Sequence, residues 1–220
     1  MQVSSGIAKS LFQNMAATQT AGTLISHYSR VSALHMSAAE LDALAVESLT
    51  SMLMQETCLL HTLDISHTKV DAAKLTAALT SNSSLTSLDV RGVPSMSGSF
   101  EAIGDMLLLA DSKSRLAHIR CDAFEVLEGE ILLSLREQHL EYGAVRLLTG
   151  LLKNNRTLQD LDFAATGLKK AWAATLVGTL TANTALRALH FDYNADLDPA
   201  SQAELVATIN KCNLDTTLHF

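Results

Sequence analysis

Aspartate and histidine recur at nearly constant spacing along the chain, and both residue types could do chemistry. Asp162, His190 and His219 follow one another at intervals of 28 and 29 residues. Histidine changes charge between about pH 5 and 8 and is a common metal ligand, so these residues could form a pH-responsive or metal-recruiting patch. A structural interpretation competes with this one, namely a row of polar side chains on a solvated sheet. Zinc needs at least three converging ligands, and Asp162 would lie two strands from His219.

The same spacing extends to two columns of polar residues, which we interpret as a binding face. Arg91 and Arg136 stand beside acidic residues in these columns, so we expect paired surface charge that contributes about 0–1 kcal/mol per pair. The first column contains His35, Asp64, Asp89, Arg120, Asp162, His190 and His219, and the second contains Arg91, Arg136 and Asp192.

No catalytic motif accompanies these residues. The chain has no GxGxxG or GxxxxGK[ST] nucleotide loop, no HExxH, no GxSxG and no EF-hand loop. Serine, histidine and aspartate are plentiful, but no spacing favours a catalytic triad, which is recognised by its geometry. The sequence therefore predicts a protein that is not an enzyme and that has no cofactor, no catalytic residue and no metal site.

A repeated apolar pattern predicts the elements that position the two columns. The pattern apolar-x-x-apolar-x-apolar starts at residues 31, 60, 85, 116, 130, 158, 186 and 215, and only Glu130 and Asp215 break it. Alternating apolar residues indicate a short strand with one buried face. Helical patterns follow the strands, with Asp71 and Asp198 as predicted N-cap residues and Pro199 in the first helical position.

Asparagine occurs where the predicted helices turn into the next strand. Asparagine tolerates the left-handed backbone conformation better than most residues, so we expect that conformation at these positions. They are Asn82, Asn155, Asn183 and Asn213.

One unit start follows the previous one after only 14 residues, which leaves no room for a helix. We expect the sheet to continue through this short unit while the helical side narrows. Just beyond it, Ile131 and Leu132 are apolar at positions that should be exposed on the strand face. They could anchor a partner, or the register could be shifted at this irregular unit.

Strand–helix units with steps of 28 and 29 residues resemble leucine-rich repeats of the long, ribonuclease-inhibitor-like class. The Cys-Asp-x-Phe stretch at Cys121 and the helix pattern from Tyr142 to Leu152 are similar to uncharacterised leucine-rich arrays of single-celled eukaryotes. The resemblance implies an α/β fold, a curved solenoid with a parallel sheet on the concave side and helices on the convex side. It covers residues 25–220, with the irregular short unit at about 116–130. Residues 1–24 are predicted to be an N-terminal helical segment, a partial repeat or cap whose strand is missing.

Composition excludes several classes of protein. The net charge of −7 gives no electrostatic reason to bind nucleic acid or anionic lipid, and no apolar run approaches the ~18 residues of a membrane span. Cys58, Cys121 and Cys212 are odd in number and widely spaced, which indicates reduced thiols. We expect an intracellular, cytoplasmic protein. A mitochondrial location is the alternative, because residues 1–39 contain no acidic residue.

These features favour a non-catalytic interaction module or scaffold, a subunit of a larger assembly that binds protein through the concave sheet or an open end. We expect a partner, or the rest of a longer chain, to cover the last strand near Phe220. Leucine-rich proteins also include GTPase activators, for which Arg91 is the candidate because it follows a strand beside Gly92 and could face a phosphate. Regulators that cap actin filament ends share the architecture too, but no residue pattern selects that role.

Overall fold

Short strands and helices alternate along most of the chain. The computed structural model describes residues 2–3, 31–211 and 216–220. Within these ranges it is an α/β structure with ten strands, six α-helices and two sheets. The strands are β1 (Gln2–Val3), β2 (Ala33–His35), β3 (Thr62–Asp64), β4 (Ser87–Asp89), β5 (His118–Arg120), β6 (Glu125–Val126), β7 (Leu132–Ser134), β8 (Asp160–Asp162), β9 (Ala188–His190) and β10 (Thr217–His219). The helices are α1 (Ala43–Leu53), α2 (Ala72–Ser81), α3 (Phe100–Leu108), α4 (Tyr142–Leu152), α5 (Lys170–Thr179) and α6 (Pro199–Lys211).

The strands pair in the order of the sequence, and their apolar residues form the core. The first sheet has the order β1 to β6 and the second the order β10-β9-β8-β7. Apart from the β5–β6 pair, all pairing is parallel. The central strand residues pair directly with one another and are at most 7% exposed. They are Leu34, Leu63, Leu88 and Ile119 in the first sheet, and Leu133, Leu161 and Leu189 in the second.

Helix starts follow the predicted caps. The Asp71 carboxylate accepts the backbone N–H groups of Ala73 and Lys74 at 2.9 and 3.1 Å. The Asp198 carboxylate accepts the N–H of Ser201 at 2.8 Å, and α6 begins at Pro199. Both predicted N-caps are therefore confirmed. Each aspartate accepts backbone N–H groups of the first helical turn, which have no partner within the helix.

The asparagines act differently from the prediction of left-handed backbone, which is wrong at the described positions. Asn82 and Asn183 have extended backbone, with φ of −80° and −100°. Their side chains are buried instead and bridge two units. The Asn183 amide donates to the Leu152 carbonyl at 2.6 Å, and its oxygen accepts from the N–H of Leu186 at 2.9 Å. Asn82 bonds the Leu53 carbonyl in the same way, whereas Asn213 lies outside the described residues.

Left-handed residues occur at a different point of each unit, three residues after a strand ends. Six units share this turn, and a glycine occupies it only once. In the other five units a residue with a Cβ adopts this conformation, which costs about 1 kcal/mol or more. The positions are Ala38, His67, Gly92, Glu137, Ala165 and Tyr193.

The sheet does not continue through the short unit, which corrects the prediction. After β5 the chain turns back through a hydrogen bond of 3.0 Å from the Cys121 N–H to the Phe124 carbonyl, and β6 pairs antiparallel with β5. Within the described residues, β7 pairs only with β8. A parallel connection needs a crossover of about a dozen residues or more, and residues 121–131 fall short of that. The chain forms a hairpin there, and the sheet divides in two.

At the point where the sheet divides, the two flanking helices pack closely. Because the short unit has no helix, α3 and α4 become neighbours and pack backbone against backbone. A Cβ added at Gly104 would lie 2.5 Å from the carbonyl oxygen of Arg146, and one added at Gly150 would lie 2.9 Å from the carbonyl oxygen of Gly104. Two glycines thus permit a contact that any larger residue would push apart.

The first unit also differs from the prediction. Gln2 and Val3 pair in parallel with Ala33 and Leu34, so this unit has the strand that the sequence analysis expected to be missing. The rest of the helical segment predicted over residues 1–24 lies outside the described residues, as does Asp215.

Candidate binding face of the strands

The predicted first column is a ladder of directly paired residues, divided by the break between the sheets. In the first sheet His35 pairs with Asp64, Asp64 with Asp89, and Asp89 with Arg120. In the second sheet Ser134 pairs with Asp162, Asp162 with His190, and His190 with His219. The register therefore brings the predicted residues together in two groups rather than one.

An ion-pair cluster joins the two predicted columns in the first sheet. Arg91 binds both oxygens of Asp89, at 3.0 Å through Nε and 2.6 Å through Nη2, and reaches Glu125 at 3.2 Å through Nη1. Arg120 binds the other oxygen of Glu125 at 3.0 Å. The hydrogen bond to Asp89 is the main reason that the pKa of Arg91 is raised above its ordinary value. Arg91 is thus held by two carboxylates, which a phosphate would have to displace.

The aspartates of the ladder also fix the backbone at the ends of their strands. One carboxylate oxygen accepts the N–H two residues further on, at 3.0 Å for Asp64, 3.2 Å for Asp89 and 2.8 Å for Asp162. Such local turns are a common use of aspartate. They orient each carboxylate before anything binds, and they give a structural reason for aspartate to recur in this column.

Charge is paired in the second sheet as well. Arg136 Nε lies 3.0 Å from Asp162 Oδ2, and Ser134 donates to the same oxygen at 3.4 Å. The Arg136 side chain is 43% exposed and the Asp162 side chain 15%. Asp192 is half-buried, and nothing in the described part of the chain forms an ion pair with its carboxylate.

The two histidines stack on each other. The rings of His190 and His219 are 4.3 Å apart with an angle of 9° between their planes. His190 Nε2 lies 3.1 Å from Asp160 Oδ1, so its acidic neighbour is Asp160 rather than the predicted Asp162. No group of three or more potential ligands in the described ranges could hold a metal ion. The His190 ring thus has one carboxylate beside it and one aromatic ring stacked on it.

Two acidic residues of these clusters, Glu125 and Asp160, were not predicted from the sequence. Glu125 enters the first ladder only because β6 runs antiparallel to β5 and pairs it with Arg120. Asp160 stands two residues before Asp162 in β8, and it joins the site because His190 Nε2 lies 3.1 Å from its Oδ1. The regular alternation of β8 could have identified Asp160 as exposed on the strand face, whereas the spacing alone could not have identified Glu125.

One pocket among the described residues lies away from the predicted binding residues. It has a volume of about 280 Å³ and lies beside the hairpin, between Asp122 on one side and His139 and Glu141 on the other. None of the ten predicted binding residues lines it.

Two titratable groups near the hairpin are shielded from solvent: Cys121 is buried in the core, and His118 is half-buried on the same face of β5 as Arg120. Burial lowers the pKa of His118, and its Nε2 is buried without a hydrogen-bond partner among the described residues. Burial also raises the pKa of the Cys121 thiol to about 11, and the sulfur lies 3.2 Å from the Phe124 carbonyl oxygen.

Comparison with known proteins gives little sequence support for any family. No family model matches the chain, and no curated protein matches it significantly. None of the helices in the described ranges has the length and hydropathy of a membrane span. Among solved structures, the chain is similar to one titled Leiomodin-1 Actin-Binding Site 2, at 13% sequence identity and a TM-score of 0.34, over 89% of this chain and 90% of that one.

Proposed function

We propose that the chain is a leucine-rich-repeat solenoid that acts as a non-catalytic protein-interaction module within a larger assembly. The observation that carries the proposal is the pre-ordered polar face of the strands. Asp64, Asp89 and Asp162 are fixed by their own backbone turns, and Arg91 and Arg136 are fixed by those aspartates. Binding to such a surface costs little side-chain entropy.

The proposal does not extend to GTPase activation. That role would require Arg91 to present a free guanidinium to a phosphate. Its bonds to Asp89 and Glu125 favour a structural role instead. Charge-assisted bonds of this kind contribute more than neutral ones, so releasing the side chain would cost free energy before any catalysis began.

Site-specific photo-crosslinking tests which surface meets the partner. A benzoylphenylalanine placed at His35 or His219 would report on the strand face, and one placed at Lys74 on α2 would report on the exposed helical face. We expect one discrete crosslinked species in cells from the strand positions and none from Lys74. Crosslinks of equal yield from all three positions, or only from Lys74, would contradict the proposal.

A further inference from the structure

We propose that the open edge of β7 binds an extended segment of a partner protein by strand addition, and that this segment carries apolar side chains beside lysine or arginine. The inference rests on the proposed function as a protein-interaction module and names one place where the partner docks. It depends on the break between the sheets, which leaves a strand edge unpaired in the middle of the chain.

The hydrogen bonds of β7 leave one of its sides free. The Ile131 carbonyl accepts from the N–H groups of Gln159 and Asp160 at 2.8 and 3.0 Å, and the Leu135 N–H donates to the Asp162 carbonyl at 2.8 Å. Peptide groups of successive strand residues point to opposite sides. Those of Leu132 and Ser134 therefore point away from β8, where no described strand pairs with them. Two N–H and two C=O groups thus form a template for another strand.

Apolar side chains lie beside this edge. Ile131 is 58% exposed and Leu132 55%, and Leu127 on the connection from β6 is 37% exposed. The pairing of Leu132 with Asp160 and of Leu133 with Leu161 is regular, which excludes the shifted register considered from the sequence. Leu132 therefore belongs to the exposed face, where small or polar residues stand at the same position of the other strands. Such exposed apolar residues mark interaction sites.

The charge around the edge selects the kind of partner. Residues 121–135 include four carboxylates and no lysine or arginine. Glu125 is neutralised by Arg91 and Arg120, whereas Glu128 and Glu130 flank the exposed leucines without an ion pair to any described residue. A second copy of this chain docked edge to edge would bring these carboxylates together. A segment with lysine or arginine would gain from them instead.

The probe is a peptide that binds the full chain. Displayed random dodecapeptides are selected for binding to the full chain, and the enriched sequences are then synthesised. Leu132→Lys reverses the character of the apolar patch, with Tyr193→Lys as its control, because Tyr193 is 83% exposed and distant in sequence from the edge. Ser134→Pro removes one outward N–H while the bonds of Leu133 and Leu135 to β8 remain, which edge strands tolerate. Its control is Ser134→Ala, which keeps that N–H. Far-UV circular dichroism checks that each variant is folded.

We expect enriched peptides with alternating apolar and basic residues. Their Kd should rise at least tenfold for Ser134→Pro, which is about the value of one lost hydrogen bond. It should also rise at least tenfold for Leu132→Lys, which removes an apolar contact and repels the basic residues of the peptide, and it should stay the same for both controls. Hydrogen exchange at the Leu132 amide should slow when the peptide binds.

Three outcomes would overturn the inference: no enriched basic–apolar family, equal affinity of all variants, or a concentration-dependent dimer of the free chain that Ser134→Pro abolishes. In each case crosslinking from His35 or His219 would still show whether the proposed function stands.

Discussion

Replacing Gly104 with alanine should weaken the protein, although alanine is the better helix former by about 1 kcal/mol. The new methyl group would lie 2.5 Å from the Arg146 carbonyl oxygen, whereas ordinary contact begins at 3.4 Å, so α3 and α4 must separate by about 0.9 Å. Overpacking of this kind costs about 1–3 kcal/mol, and such a gap forfeits a quarter to a half of the dispersion energy between facing atoms. We expect the free energy of unfolding to fall by about 2 kcal/mol.

Gly178→Ala is the matched control, because it lies in the helix α5 and an added Cβ there would meet nothing within 4 Å. It should be stabilising by about 0.4–1 kcal/mol. Differential scanning calorimetry should show a Tm lowered by about 4–8 °C for Gly104→Ala and raised by roughly 1–4 °C for the control. If Gly104→Ala is as stable as the wild type, the two helices do not touch through their backbones and the reasoning fails.

Three further predictions concern buried polar groups. Asn155→Ala should lower the free energy of unfolding by about 1–3 kcal/mol, because the fully buried Asn155 side chain bonds backbone groups on two neighbouring units. The control is Asn210→Ala at an exposed position, which should change the free energy of unfolding by less than about 0.5 kcal/mol. Urea titration measures both values. Iodoacetamide at pH 8 should alkylate half-buried Cys58 well before Cys121, because burial raises the pKa of Cys121 to about 11; equal labelling by peptide mass spectrometry would contradict this. The free energy of unfolding should fall as the pH drops below about 6.5, because the lowered pKa of His118 makes the folded state bind fewer protons than the unfolded chain. Urea titrations from pH 7 to 5 should show a smaller dependence of this free energy on pH for His118→Gln. An unchanged dependence would assign it to other groups.

Local patterns predicted the regular units well, because each strand and each cap is determined by residues close in sequence. Asp71 and Asp198 cap their helices as expected, and Leu63 and Leu88 pair in the core. The role of the asparagines was not predictable from propensity. A side chain such as that of Asn183 bonds a carbonyl 31 residues earlier, and only the stacking of units brings the two together.

The two polar columns were predictable in their strand register, but the ion pairs that their residues form were not. A strand period of two residues places Asp64, Asp89 and Arg120 in one row, and the structure has them there. Which charges meet depends on rotamers and on the hairpin, which adds Glu125 to the row. Spacing along the sequence carries no information about a strand that reverses direction.

The missing helix of the short unit accounts for both unusual features of the molecule. Each regular unit adds one strand to a sheet and one helix to the other layer, so the two layers advance together. The short unit adds no helix, so α3 and α4 meet at Gly104 and Gly150. The same shortage of residues prevents a parallel crossover, so β6 turns back and β7 keeps an unpaired edge at Leu132 and Ser134. The close helix contact holds the two halves together, and the sheet can therefore remain open without a strand to fill the break. A residue that forced α3 and α4 apart should consequently loosen the edge of β7 as well, and hydrogen exchange of Gly104→Ala at the amides of residues 131–135 would reveal that coupling.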